Sequence, residues 1–191
     1  MACFDPGEQG SSPRLDWEQR LAISLAVARG VASIHSVGPS SSHGNIKSSN
    51  ILLTGTHEAC VSEHGLKTLV GSFPKGSGYH APELADSMLA SQEADVYSFG
   101  ILLLEVLTGK APGDSTKPEY VDLRGWAWIR VNTEEHRRME FDVDLRQQQK
   151  AGAQKGMMQL LWLAMDCCIL YAKFRPTMSD VVQRIENIQQ S

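Results

Sequence analysis

The chain has 191 residues, of which 42% are hydrophobic and 21% charged, and its formal net charge is −4 at pH 7. This length and composition are typical of one soluble globular domain. The acidic balance, together with the lack of a Lys/Arg cluster interleaved with aromatic residues, argues against a nucleic-acid partner. No apolar run approaches the length of a membrane span, so we expect no direct membrane insertion of this chain.

The first residues predict a lead-in followed by a helix. Residues 1–14 are small and polar and contain two prolines and two glycines, so we expect a disordered lead-in before one domain over residues 15–190. Asp16, followed three positions later by Gln19, matches a capping box. This pattern predicts a helix over residues 17–36.

The remaining elements follow from local patterning. We expect short strands at residues 50–53 and 59–61. Residues 94–107 are apolar on nearly all sides, which predicts a helix buried around its circumference. Further helices are predicted around Trp126 and at the C-terminal end of the chain, over residues 155–170 and 178–188. The predicted fold class is therefore mainly α, a helical bundle with a short β-hairpin.

The most informative motif runs from His43 to Leu53. It reads His-Gly-Asn-Ile-Lys-Ser-Ser-Asn-Ile-Leu-Leu and has the His-x-Asp-x-Lys-x-x-Asn spacing of a protein-kinase catalytic loop, with Asn45 in place of the aspartate. In phosphoryl transfer that aspartate orients the substrate hydroxyl and accepts its proton. A carboxamide has no basic lone pair to take a proton near neutral pH. The loop therefore predicts a kinase fold without the catalytic base.

Other kinase-like segments follow this loop in the usual order. They are Glu63-His64-Gly65 at the Asp-Phe-Gly position, then Ala81-Pro82-Glu83, then Asp95 in the predicted buried helix, and finally Arg175. On these motifs the chain resembles the C-terminal lobe of plant leucine-rich-repeat receptor-like kinases, in the atypical group whose loop reads His-Gly-Asn-Ile-Lys-Ser-Ser-Asn. The resemblance implies a protein-kinase-like C-terminal lobe. Because no Gly-rich loop or strand lysine occurs, we expect the N-terminal lobe to be absent.

The resemblance implies that the groups handling phosphate are degenerate. Asn45 stands at the base position, and Lys47 stands where a lysine approaches the transferring phosphate. Asn50 and Glu63 occupy the two metal-binding positions. Glu63 is one methylene longer than the usual aspartate, and Mg²⁺ demands near-ideal octahedral geometry, so we expect magnesium binding through Glu63 to be impaired and assign no metal site. We expect no cofactor for this chain, and ATP with Mg²⁺ only if a longer form supplies the missing lobe.

The resemblance also assigns structural rather than chemical roles to His43, His64, Gly65, Glu83, Asp95 and Arg175. His43 is expected to pack against His64. Asp95 is expected to cap backbone amides of the loop, and Glu83 is expected to pair with Arg175. These roles would preserve the fold of the lobe without preserving its chemistry.

Three functional hypotheses remain open at this stage. The first is a pseudokinase lobe that acts by protein–protein interaction in receptor-kinase signalling, with an active receptor-like kinase or its substrate as partner. The second is a portion of a nominal ATP-binding Ser/Thr receptor-like kinase, and the third is a truncated product without independent function. We expect the chain to be cytoplasmic, and the family parent to lie at the plasma membrane with its kinase domain facing the cytosol.

Overall fold

The structure is a computed structural model that describes residues 15–54, 58–64, 78–84, 90–113, 122–132, 141–147 and 151–191. The predicted lead-in at residues 1–14 and the structural residue Gly65 lie outside the described residues. The helices are α1 (Trp17–Ser36), α2 (Gln92–Thr108), α3 (Leu123–Asn132), α4 (Val143–Gln147), α5 (Ala151–Cys167) and α6 (Met178–Gln189). The strands are β1 (Ile51–Leu53) and β2 (Ala59–Val61), and 3₁₀ turns occur at Ser48–Asn50 and Ala172–Phe174. The predicted mainly helical fold class with one short hairpin is confirmed.

Helix α1 begins and ends where the sequence predicts. The Gln19 backbone N–H donates to Oδ1 of Asp16 over 2.8 Å, and the Asp16 N–H donates to Oε1 of Gln19 over 3.0 Å. This reciprocal capping box satisfies two amides that the first helical turn would otherwise leave unpaired. The apolar side of α1, which includes Leu21 and Val27, is buried and packs mainly against α6.

The two strands form an antiparallel hairpin in which Ile51 faces Val61 and Leu53 faces Ala59. The first strand begins one residue later than predicted because Asn50 completes the 3₁₀ turn. Ile51 is buried, whereas Leu52 is 57% exposed and points away from the core. The alternation follows from the two-residue repeat of a strand.

Helix α2 is the central element of the lobe, and all its residues from Ala94 to Thr108 are buried. It begins two residues before the predicted start because the Ser91 hydroxyl accepts a hydrogen bond from the Ala94 N–H over 3.1 Å. It ends at Gly109, whose φ of 67° lies in the left-handed region that favours glycine. Its middle packs on α5 so closely that a Cβ at Gly100 would lie 2.6 Å from Sγ of Cys168.

The last two helices differ from the prediction at three boundaries: α5 begins at Ala151 rather than at residue 155 and ends before residue 170, and α6 ends at Gln189, one residue late. Helix α5 ends at Cys167 rather than continuing to residue 170. The Arg175 side chain hydrogen-bonds the carbonyls of Ile169 and Leu170, at 2.8 and 3.2 Å, so the chain leaves the helix to reach it. Helix α6 begins after Thr177, which forms a capping box with Asp180. No described helix is long and apolar enough to cross a membrane.

Candidate functional site

The catalytic-loop remnant is held in place by a buried carboxylate from α2. Oδ2 of Asp95 accepts a hydrogen bond from the His43 backbone N–H over 2.5 Å, and Oδ1 accepts one from the Gly44 N–H over 2.7 Å. Nε2 of His35, in the last turn of α1, lies 2.9 Å from Oδ2 of the same carboxylate. Asp95 is only 2% exposed, so its charge is stabilised by these donors rather than by water. The arrangement fixes the start of the loop on the core.

The His43 imidazole is buried and serves the fold. Its Nε2 lies 3.0 Å from the Ser62 carbonyl, and its Nδ1 accepts a hydrogen bond from the Asn45 N–H over 3.2 Å. These partners assign the neutral ring with its proton on Nε2. Burial lowers the pKa of His43, and this effect outweighs the attraction of the Asp95 carboxylate. The ring joins the loop to the segment after β2.

His64 lies near His43 but is exposed to solvent. The two ring centroids are 5.9 Å apart and the planes are inclined by 46°. Because His64 is exposed, its imidazole remains in contact with water at the position where kinases carry a phenylalanine.

Asn45 and Glu63, at the base and metal-binding positions, are hydrogen-bonded to each other. Nδ2 of Asn45 donates to Oε2 of Glu63 over 3.1 Å. Glu63 has a φ of 65°, an unusual backbone conformation for a residue with a side chain. Such a conformation costs on the order of 1 kcal/mol. The side chain is thereby directed toward the loop and engaged by an amide donor.

Asn50 and Lys47 complete the set of candidate catalytic and cofactor residues. Asn50 is buried, its Nδ2 donates to the Asn45 carbonyl over 2.8 Å, and its own carbonyl accepts from the Ser62 N–H over 2.8 Å. Lys47 is half-buried and forms no ion pair with a carboxylate among the described residues. The structure therefore links Asn45, Asn50 and Glu63 in one hydrogen-bonded group that does not include Lys47.

This group has the donors and acceptors of a structural network rather than of a phosphate-transfer site. A cation at Oε2 of Glu63 would meet the Asn45 amide hydrogens, which carry partial positive charge. Within the described residues, no group of three or more His, Cys, Asp or Glu side chains is placed to hold a metal ion. Mg²⁺ is usually held by one or two carboxylates together with substrate phosphates, so the Asn45–Glu63 hydrogen bond would have to break before Oε2 of Glu63 could bind it, and the Asn45 amide cannot accept a proton.

Arg175 connects the site to the lower part of the lobe. Its guanidinium binds Glu83 through two hydrogen bonds of 2.6 and 2.9 Å and also donates to the Glu93 carbonyl over 2.8 Å. The Arg175 side chain is fully buried. Partial burial would raise the pKa of Glu83, but the hydrogen bonds and charge of Arg175 outweigh it, and the pKa is lowered. The pair ties the Ala-Pro-Glu segment to the connection between α5 and α6.

A second buried network was not predicted from the sequence. Glu105 on α2 accepts hydrogen bonds from the hydroxyls of Ser48 and Tyr79, with a Ser48 Oγ to Oε1 distance of 3.0 Å. The sequence contained one signal for it, because a glutamate interrupts the otherwise apolar run of α2. The two hydroxyl residues carried no such signal, because both are distant from Glu105 along the chain and no local pattern brings them to it.

Known proteins with similar sequences or structures agree with these observations. A model of the family described as protein tyrosine and serine/threonine kinase matches residues 9–185. The probable inactive receptor kinase RLK902 of Arabidopsis thaliana is 45% identical over 192 residues, which cover 97% of this chain and 30% of that protein. The leucine-rich repeat receptor-like protein kinase PXC1 of Arabidopsis thaliana is 38% identical over 196 residues, covering 92% of this chain and 29% of that protein.

A solved structure is also similar to the lobe. The pseudokinase domain of BIR2, described as an immune regulator of the RLK/Pelle family, matches with a TM-score of 0.79 and 30% sequence identity. The match covers 93% of this chain and 54% of the BIR2 chain. The chain thus spans about half of that solved domain and less than a third of the two curated relatives.

Proposed function

Because this chain belongs to the protein tyrosine and serine/threonine kinase family, we propose that it is a catalytically impaired kinase-like lobe that acts by binding another protein in receptor-kinase signalling. The observation that carries this proposal is the hydrogen bond from Asn45 to Glu63. It pairs the two positions that would supply the base and a metal ligand with each other. Phosphoryl transfer depends almost entirely on positioning and electrostatic stabilisation, so losing both groups should leave essentially no activity.

The similarity to inactive receptor kinases supports the same proposal. RLK902 is described as probably inactive, and the BIR2 domain is described as a pseudokinase. Because the chain spans 30% of RLK902, the signalling role of a whole receptor is part of the proposal. In that setting the lobe would face the cytosol beside the plasma membrane, and its partner would be an active receptor-like kinase or a substrate of one.

The outer face of the hairpin is the surface we assign to this partner. Leu52 is 57% exposed, and Cys60, which faces it across the hairpin, is also exposed. Glu63 and His64 continue this exposed surface beyond β2. An apolar centre with a polar rim is the usual pattern of a protein–protein interface. The face therefore combines a small apolar centre with flanking polar side chains, which supports its assignment to a protein partner.

Nucleotide binding is tested first by thermal unfolding of the purified chain, with and without millimolar ATP and Mg²⁺. A ligand at 100 times its dissociation constant stabilises a folded binder by about 2.7 kcal/mol. We expect a cooperative transition that nucleotide does not shift. A rise in Tm that disappears in the variant Glu63→Ala would contradict the proposal and favour the ATP-binding receptor-kinase alternative. Lack of any cooperative transition would favour the truncated product.

Partner binding is tested by isothermal titration calorimetry, in which the purified kinase domain of an active receptor-like kinase is titrated into a solution of the lobe and the dissociation constant is measured. We expect the variant Leu52→Asp to weaken binding at least tenfold, because a charge would replace the apolar centre of the face. The matched control is Ile129→Asp on α3, where the parent side chain is 60% exposed. Equal effects of the two substitutions would exclude the hairpin face as the interface.

A further inference from the structure

Glu105 is a carboxylic acid enclosed in the core of the lobe. Its residue exposure is 3%, and the two carboxylate oxygens have different hydroxyl partners. Oε1 accepts a hydrogen bond from Oγ of Ser48 over 3.0 Å, and Oε2 accepts one from the Tyr79 hydroxyl. Oγ of Ser48 and the Tyr79 hydroxyl are themselves 3.0 Å apart. The three groups thus form a cluster within hydrogen-bonding distance of one another, and with both hydroxyls donating to the carboxylate, the third contact gains a proton only when Glu105 is itself protonated.

This cluster joins three separate parts of the candidate site. Ser48 begins the 3₁₀ turn of the catalytic-loop remnant, Tyr79 precedes the Ala-Pro-Glu segment, and Glu105 lies on α2. The Tyr79 carbonyl also accepts a hydrogen bond from Oγ of Ser98 over 2.8 Å, which binds the same segment to the same helix. The state of the Glu105 carboxyl therefore affects how firmly both segments are held on α2.

The cluster contains no positive charge to balance an ionised Glu105. Burial raises the pKa of Glu105 to about 7, and the hydrogen bonds from Tyr79 and Ser48 only partly oppose this rise. Burial, with the Glu105 charge as a second cause, raises the pKa of Tyr79 above its ordinary range. Lys47 is next to Ser48 in the sequence, and Arg20 of α1 donates to the carbonyl of Val106, the residue after Glu105, and to Asp142. Among the described residues, neither cation forms an ion pair with Glu105.

We propose that Glu105 is a proton-controlled latch that holds the Ser48 and Tyr79 segments closed on α2 when protonated and loosens them when ionised. The latch belongs to the folded lobe itself, so it holds whether or not the lobe binds a partner. Its consequence is a change in the rigidity of the loop and of the Ala-Pro-Glu segment over the pH range near neutrality.

The direction of the pH effect on closure, and the pH range over which it acts, follow from the difference between the pKa of Glu105 in the closed and open forms. In the closed state the pKa of Glu105 is raised to about 7 from an ordinary value of 4.5, which it regains when the latch opens to water. The contribution of the carboxyl to closure is thus complete below the ordinary pKa and is lost as the pH rises through the closed-state pKa. Between these values the ratio of open to closed forms rises by about tenfold per pH unit, and it levels off above them.

Amide hydrogen exchange can follow the latch directly, because the Ser48 N–H donates to the Tyr79 hydroxyl over 3.4 Å. Protection factors of amides in residues 44–50 and 78–84 are measured from pH 5 to 8 and corrected for the intrinsic exchange rate. We expect protection in the parent chain to fall by at least tenfold between pH 5 and 7 and then to level off. A pH-independent protection factor would overturn the proposal.

Three variants and one spectroscopic measurement separate the latch from general effects of pH. Glu105→Gln is expected to abolish the pH dependence, whereas the control Glu18→Gln, at an exposed position of α1, is expected to retain it. Carbon-13 titration of the Glu105 carboxyl should give a midpoint near 7, and Tyr79→Phe should raise it, because the lost hydrogen bond lowers the pKa of Glu105. A midpoint near the ordinary value, or a slope that persists in Glu105→Gln, would refute the latch.

Discussion

Nδ2 of Asn45 donates a hydrogen bond to Oε2 of Glu63 over 3.1 Å, so the residue at the base position and the residue at a metal position satisfy each other. The two departures from the kinase motif are complementary, because an amide donor faces a carboxylate acceptor. An aspartate at position 45 would replace the amide donor with a second carboxylate facing Glu63. Restoring the aspartate at position 45 alone therefore removes this hydrogen bond without restoring the metal position.

Asn45→Asp is expected to leave phosphoryl transfer undetectable and to destabilise the lobe slightly. The new carboxylate would lie about where the amide lies now and would repel Glu63. Because Glu63 is exposed and Asn45 half-buried, the loss of unfolding free energy should be less than about 1 kcal/mol at pH 7.5. Urea unfolding and a radiolabelled phosphate-transfer assay measure the two effects. The double variant Asn45→Asp/Glu63→Gln should recover the stability, and phosphorylation by the single variant would contradict the prediction.

Arg175→Ala is expected to cost about 3–5 kcal/mol of unfolding free energy, because it leaves the Glu83 carboxylate without its buried partner. Urea unfolding followed by circular dichroism gives the value. The control is Arg184→Ala, whose salt bridge of 2.7 Å to Asp166 joins two half-exposed side chains. That change should cost less than about 1 kcal/mol. Similar losses of unfolding free energy in both variants would mean that the buried Arg175–Glu83 pair stabilises the lobe no more than an exposed salt bridge does.

Asp95→Asn should weaken the attachment of the loop to α2. In either orientation of the new amide, its NH₂ group would face the backbone N–H of His43 or that of Gly44 and leave one of them unsatisfied. A buried unsatisfied donor costs about 1–3 kcal/mol. Thermal unfolding measures the loss, and hydrogen exchange at residues 43 and 44 locates it. Asp166→Asn, at a side chain that is 45% exposed, should change the Tm far less.

Glycine-to-alanine substitutions should change the unfolding free energy in opposite directions in α2 and α5. A Cβ at Gly100 would lie 2.6 Å from Sγ of Cys168 and 2.9 Å from the Ala164 carbonyl oxygen, so the two helices would have to separate. Such overpacking typically costs about 1–3 kcal/mol. Apart from its chain neighbours and its own helix backbone, no described residue has a heavy atom within 4 Å of a Cβ at Gly152, where alanine should stabilise the helix by up to about 1 kcal/mol. Chemical denaturation of the two variants provides the comparison, and equal effects would contradict the packing argument.

Much of the lobe could be predicted from short stretches of sequence. The ends of α1 follow from a local capping box, the hairpin follows from two short strands, and the apolar run of α2 predicted burial on all sides. The family resemblance, inferred from motifs in a fixed order, is confirmed by the family match over residues 9–185. These features depend on neighbouring residues or on spacing along the chain, which the sequence contains directly.

The sequence by itself determined the helical fold class, the family and the loss of the aspartate at Asn45. Only the tertiary structure decided which groups meet: the amide of Asn45 with Glu63, and the hydroxyls of Ser48 and Tyr79 with Glu105. It also ended α5 at Cys167, because Arg175 takes the next carbonyls. Each of these contacts joins residues separated by several elements, and its strength depends on burial. Neither the approach of distant side chains nor their removal from water can be read from local patterns.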